Sequence, residues 1–437
     1  MHTDLTTGSI DEHLIKLSLP AIIGYFFHTM FNVTDTYFAG IISTEALAAL
    51  SLCASIFFMI LAIAIGMSEA LTSLVGNALG EKNLQKARHI ALNAMLFAFL
   101  LSLFLSIFGI LSVPYLINAL GDSSYTAEAL SYINVILYAT LFFIGSFFFN
   151  ALLNATGDMV SFRNVLIFTA FLNIALNYVF VYTFNYGVSG IAMATIISEF
   201  ITMSYLFYKL QKTTLHLNMQ EFSFDAKVIL ELLKQGFPPS MNMFMMAFGM
   251  YIITYFVAPY GKEAVAAFGI GMRIEQIFLM PVVGISIATL AIVSQNNGAK
   301  SYARIMPTTN LAIKYGFILS ALGVAAFYLF GNFLASLLTN DLQVIEQSVL
   351  YLRICGFAFF GFVMIFIYIA MLQGIAKPAV IFPISVYRQV IAPIALFSLL
   401  ALFELEIYSL WLGLDAIIFS SAAFLWWVSY KKLKALG

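Results

Sequence analysis

Apolar runs of about 20 to 30 residues, separated by short polar interruptions, follow one another along the whole chain. Each is long enough to cross a hydrocarbon core about 30 Å thick as a helix, which satisfies its backbone hydrogen bonds internally. The pattern predicts about twelve spans, at about 15–40, 46–76, 90–113, 129–153, 163–183, 188–209, 229–258, 264–295, 309–337, 346–372, 379–402 and 407–430. The predicted fold class is an all-α integral membrane protein.

Composition agrees. Of 437 residues 62% are hydrophobic and 9% charged, where a soluble domain carries about a quarter charged residues. A net charge of −1 argues against nucleic acid as a partner, which would call for a basic face. The opening "MHTDLTTGSIDEH" is polar and acidic, so no cleavable signal peptide is expected. Cys53 and Cys355 both fall inside apolar segments, which argues against a disulfide framework or a metal cluster.

Charge asymmetry orients the spans, because Lys and Arg are retained on the cytoplasmic side. Lys82, Lys86, Arg88, Arg163, Lys209, Lys212, Lys227, Lys300, Arg304, Lys377, Lys431, Lys432 and Lys434 all fall on one side. The opposite loops hold Lys262 against Glu45, Asp122, Glu128, Glu263, Asp341, Glu404 and Glu406. Both termini are therefore expected in the cytoplasm, as an even number of spans requires.

The chain repeats itself. "KLSLP" ending at Pro20 resembles "KQGFP" ending at Pro238, and "EALAAL" from Glu45 resembles "EAVAAF" from Glu263, each pair 218 residues apart. Gly66 with Gly284 and Gly80 with Gly298 keep that spacing, and "LLNATGD" is echoed by "MLQGIAKP" one residue out of step. Six spans per copy give both copies the same orientation, a parallel repeat typical of transporters that work by alternating access. Residues 1–215 are read as an N-lobe and 216–437 as a C-lobe, with the polar stretch from about Leu210 to Lys227 as linker.

Polar groups inside the spans carry the candidate chemistry, because an ionised side chain in hydrocarbon is costly and calls for a function. Asp35 lies about 8 Å from the outer end of span 1, and Asn177 and Asn173 about 9 and 15 Å from that of span 5. Thr195 is about 10 Å deep on span 6. One carboxylate, two amides and a hydroxyl at comparable depth suit a hard monovalent cation, or a proton exchanged at Asp35. The first six spans hold no interior Lys or Arg to neutralise Asp35. His28, two turns before Asp35, is a possible proton relay, and Glu199 is a second candidate for titration. In the second copy Ile253 stands at the place of Asp35, so the ion site is expected in the first lobe alone. Arg273 and Glu275, two residues apart on span 8, do not face each other. With Arg353 and Glu69 they are further interior charges, and Arg273 and Glu275 are read as structural or gating.

No GxxxxGK[ST], HExxH, GxSxG or paired CxxC occurs, so neither ATP use nor an enzyme is expected, and no cofactor. Met (19) and Phe (44) are abundant, as in "MNMFMMAFGM", and would suit a broad pocket for lipophilic, often cationic compounds.

The Pro20 to Asp35 first span, "GNALGEKNLQKAR", "LLNATGD", "LNIALNYVF", "MRIEQIFLMPVVGI" and "SQNNGAKSYARI" together resemble the multidrug and toxic compound extrusion (MATE) family over essentially the whole chain. The resemblance implies two six-helix lobes in a V around a central cavity, and drug export coupled to inward H+ or Na+. It implies that Asp35 is the coupling acid in a network with Asn173, Asn177 and Thr195. It adds Tyr132 and Asn150 of span 4 as network or substrate residues and Pro20 as the bend point of span 1. The absence of acids from spans 7 and 10 fits the DinF-like branch and leaves the second-lobe cation site of NorM-like members without support. An asparagine at 177, where some members carry an acid, tilts the choice from Na+ toward H+, with Na+ at the same four side chains as the alternative.

The expected mechanism is competition. Ionised Asp35 attracts a lipophilic cation, and a proton (or Na+) from outside neutralises it and releases the drug. The expected setting is a bacterial cytoplasmic (inner) membrane and the expected state a monomer. A flippase of lipid-linked precursors from the same superfamily is the alternative; it would need a basic cavity, which the first lobe lacks.

Overall fold

The structure, a computed structural model, describes residues 4–120 and 124–436. Asp122, counted above among the outer-loop acids, lies outside them. Among the described residues ten helices are long and apolar enough to cross a membrane, and two bent helix pairs, each counted as one span, bring the number to twelve.

The first six spans are α1 (Ile10–Ile42), α2 (Thr44–Gly80), α3 (Leu84–Leu120), the pair α4 (Thr126–Tyr138) and α5 (Thr140–Ala155), α6 (Val160–Tyr178) and α7 (Gly187–Gln211). The second six are α8 (Ala226–Val257), α9 (Lys262–Gly298), α10 (Ile305–Ser336), the pair α11 (Leu342–Cys355) and α12 (Ala358–Gly374), span 11, and α15 (Ile407–Lys434). Span 11 comprises α13 (Ile381–Val386), a π-helical turn Tyr387–Ile391 and α14 (Ala392–Leu402). A second π-helical turn, Val179–Thr183, ends span 5. Large apolar side chains such as Phe104, Leu329 and Trp427 are exposed, as a lipid-facing belt requires.

Two features depart from the sequence pattern. Spans 4 and 10 are broken, bending by 49° and 53°. At the first break the Leu137 carbonyl accepts from the hydroxyls of Thr140 (2.7 Å) and Ser106 (2.8 Å), which satisfies a group that lipid could not. The linker, moreover, is not free: Arg88 donates to the Thr214 carbonyl (3.0 Å), Asn93 to that of Ser223 (3.0 Å), and Asp225 caps α8 through the Lys227 N–H.

The repeat is written into the backbone. Lys82 (φ 57°) and Lys300 (φ 58°), 218 apart, both leave a helix in the left-handed region, as do Gly157 (82°) and Ala376 (56°), 219 apart. The lobes meet through α1, α2, α8 and α9. A Cβ on Gly80 would lie 2.0 Å from the Gln295 carbonyl oxygen, and one on Gly298 1.9 Å from that of Asn77, so only glycine permits this approach. Hydrogen bonds cross the same seam: Asn297 to Asn77 (2.6 Å), Asn77 to the Gly374 carbonyl (3.0 Å), Ser73 to the Gln373 carbonyl (2.5 Å) and Gln373 to Glu69 (2.7 Å). Leu5, fully buried, plugs this end, its N–H on Gln295 and its carbonyl on Asn296, both at 3.0 Å. Toward the end that carries Gly40, the lobes are bridged as far as Thr29, which bonds Met280 (2.9 Å), 11 residues short of Gly40. Beyond it Ser51, Ser55, Tyr251 and Tyr255 are exposed and a Cβ on Gly269 would meet nothing within 4 Å, so the lobes diverge toward the end that carries Gly40 and Gly261.

Candidate functional site

On α1 the polar residues around Asp35 turn back on their own helix: Asn32 bonds the His28 carbonyl (3.0 Å), Thr34 that of Met30 (3.0 Å) and Thr36 that of Asn32 (2.9 Å). Asp35 instead points inward and is 5% exposed. Its Oδ1 accepts from Asn177 Nδ2 at 2.8 Å and Asn173 Nδ2 at 3.1 Å, and its Oδ2 from Thr195 Oγ1 at 2.7 Å. The two asparagines are one turn apart on α6 and fully buried, and Asn177 also bonds Asn173 Oδ1 at 3.0 Å. The four side chains grouped by depth thus form one network.

Three donors on one carboxylate suit its ionised form. Asn177 Oδ1 is buried without a partner. The amides present N–H to Asp35, so a cation there would need them to turn over and offer oxygen. A turned Asn177 would equally offer its free oxygen to a proton on Asp35.

The remaining sequence candidates lie apart. Tyr132 lies within electrostatic reach of Asp35 and packs against two apolar clusters, one containing Val181 and Ile191 and the other Phe143, and it is not among the hydrogen-bond donors to the acid. Asn150 is buried with Oδ1 unpartnered, one turn from Ser146, which faces Glu199 on α7. They form a second polar group deeper in the N-lobe, Glu199 one turn beyond Thr195. His28 is half-buried, and only its carbonyl is engaged. Pro20 is buried within α1, which runs through it as one continuous helix.

The MatE family profile matches residues 20–179 and 238–397, two segments offset by the same 218 residues as the repeat. The chain belongs to the MatE family. MatE members are transporters, not enzymes. The chain is 30% identical over 430 residues to the probable multidrug resistance protein NorM of Thermotoga maritima, covering 94% of this chain and 90% of that protein. It is 26% identical over 377 residues to the FAD transporter of Shewanella oneidensis, covering 83% and 82%. A solved outward-facing structure of a multidrug resistance MATE transporter has the same fold, with a TM-score of 0.95, 22% identity and 99% and 98% coverage.

Within this MatE fold the structure supplies partners for interior charges that the sequence reading named and adds two that it missed, Asp415 and Arg388. Glu275 does not meet Arg273, which is exposed; it is buried (5%), bonds Tyr351 at 2.9 Å and has Asp415 of α15 as an electrostatic neighbour. Glu275 Oε1 and Asp415 Oδ1 are both unpartnered, so buried acids are not confined to the first lobe. Asp415 sits in a run, "LGLDAII", that reads as plain span. Tyr351 lies 219 residues after Tyr132, so each lobe sets the repeat-equivalent tyrosine beside a buried acid. Glu69 belongs to the seam through Gln373, and Arg388 of span 11 went unnoticed in an otherwise apolar run.

Proposed function

We propose that this MatE protein is a secondary active exporter of lipophilic, often cationic compounds, coupled through Asp35 to inward movement of H+, with Na+ as the alternative ion. The observation that carries the coupling role is a buried carboxylate with three side-chain donors, no basic partner among the described residues, and one buried amide oxygen beside it without a donor. A structural acid would be neutralised by a fixed cation. An acid held only by neutral donors can alternate between its charged form and a protonated or cation-bound one, and that alternation makes a drug and an ion compete. The printed name of the Thermotoga relative supports the drug substrates.

The same reading assigns Pro20 as the flexible point of α1, Tyr132, Asn150 and Glu199 to the wider network, and the protein to the DinF-like branch. It takes the protein to be a monomer in the bacterial cytoplasmic membrane, and the Lys and Arg asymmetry supports both termini on the inside. The lobes are joined at the end bearing those basic loops and diverge at the other, which supports an outward-open state.

The test is drug efflux by purified protein in proteoliposomes, with pH and Na+ gradients imposed separately. Wild type exports under one of them, and Asp35→Asn does not. An Asp35→Asn variant that still concentrates drug under that gradient refutes the coupling role.

A further inference from the structure

Arg388 is a cation inside the C-lobe that no anion among the described residues meets. It lies ten residues beyond Pro378, about 15 Å along span 11 at the helical rise, and is 5% exposed, so it neither reaches the interface nor faces lipid. Its Nη2 donates to Asn242 Oδ1 on α8 at 3.2 Å, and Ser385 Oγ donates to the same oxygen at 2.7 Å. Asn242 and Ser385 are themselves buried. No other hydrogen bond holds the guanidinium, and no carboxylate among the described residues pairs with it. The interior acids of this lobe, Glu275 and Asp415, gather instead about Tyr351.

An uncompensated charge in a low-dielectric interior is strongly unfavourable, and is retained where a ligand completes it. Two further observations mark the place. Arg388 sits in the π-helical turn Tyr387–Ile391, a rare backbone form that recurs at functional sites. Spans 7 and 11 are also the repeat equivalents of spans 1 and 5. In the N-lobe that helix pair carries Asp35 against two asparagines; in the C-lobe it carries Arg388 against one. The two lobes therefore offer opposite charge from equivalent helices.

We propose that Arg388, oriented by Asn242, is an anion-binding subsite for the transported compound. It takes a carboxylate or phosphate oxyanion, which the planar guanidinium can grip with its two uncommitted nitrogens. The inference rests on the export reading for its transport role: such a substrate presents a cationic group to the Asp35 side and an anionic group to Arg388.

Rhodamine 110, a zwitterion with a free carboxylate, and rhodamine 123, its methyl ester, test this as a matched pair. Binding is measured by fluorescence polarisation on the purified full chain in detergent. Wild type binds rhodamine 110; Arg388→Gln weakens that binding tenfold or more and leaves rhodamine 123 within twofold, while Arg388→Lys, which keeps the charge but not the fork, falls between. Equal losses on both dyes, no loss on either, or no wild-type binding of rhodamine 110 overturns the subsite. Should Arg388→Gln fail to fold, Asn242→Ala gives the same discrimination with the charge in place. Gradient-driven efflux of the two dyes is read separately: Arg388-dependent binding without ion-driven efflux overturns the export reading and leaves the anion subsite standing.

Discussion

Gly298→Ala should force apart the closed seam between the lobes. The new Cβ would stand 1.9 Å from the Asn77 carbonyl oxygen, whereas ordinary contact begins at 3.4 Å, and a backbone oxygen within a helix cannot swing aside. The helices must separate by about 1.5 Å, the difference of those distances. That stretches Asn297 to Asn77 (2.6 Å), Asn77 to Gly374 (3.0 Å) and Ser73 to Gln373 (2.5 Å) beyond hydrogen-bonding range. At about 1 kcal/mol net for each bond, the closed seam loses about 3 kcal/mol, within the usual range for overpacking. Such a loss shifts the equilibrium between closed and open seams about 100-fold. Spin labels at Lys212 and Lys377, exposed in opposite lobes, would report it by pulsed EPR, and the native Cys53 and Cys355 are buried. The expected result is a longer, broader distance distribution than in wild type, with no change for Gly269→Ala, where a Cβ meets nothing within 4 Å. A folded Gly298→Ala protein with unchanged distances and unchanged transport refutes the reasoning.

Other outcomes follow from the same geometry. Asn177→Asp puts a second carboxylate beside Asp35 where an unpartnered amide oxygen now sits, and should raise Na+-driven efflux relative to proton-driven efflux about tenfold, measured as initial rates in proteoliposomes. At the linker, the Lys227 backbone N–H, with the His89 ring second, holds the Asp225 carboxyl below its ordinary value of 3.8. A depressed carboxyl stabilises above its unfolded pKa and loses that contribution as pH falls through the folded value. The Tm difference between wild type and Asp225→Asn should therefore be present at pH 7 and shrink as pH falls below the ordinary carboxyl value of 3.8 toward the depressed folded value; a difference that does not shrink on acidification contradicts it.

Span count, the duplication and the depth of Asp35, Asn173, Asn177 and Thr195 were legible in the chain because each follows from a local rule. An apolar run has one way to cross lipid, a repeat is a matter of spacing, and depth is counted along a helix of constant rise. Grouping by depth brought those four side chains together correctly. Helix geometry also kept Glu275 from its sequence neighbour Arg273, but it named no partner for that acid, because partners in a bundle come from other helices. Glu275 meets Tyr351 and Asp415, about 75 and 140 residues further along, a pairing that only α9, α11 and α15 packed together can define. Tyr132 and Asn150 belong to the same span, but 18 residues of helix, about 27 Å, already set them apart; what the apolar run did not show is the bend between α4 and α5.

The sequence by itself thus determined which residues cross the membrane, how the two copies correspond, and which first-lobe acid stands without a cation. Tertiary packing alone decided that Gly80 and Gly298 weld the lobes at one end, that buried acids occupy both lobes, and that Arg388 faces Asn242 with no carboxylate paired to it among the described residues. The division has a physical cause: crossing a bilayer is settled within each segment, whereas satisfying a buried charge depends on which helix stands opposite, and no single segment carries that information.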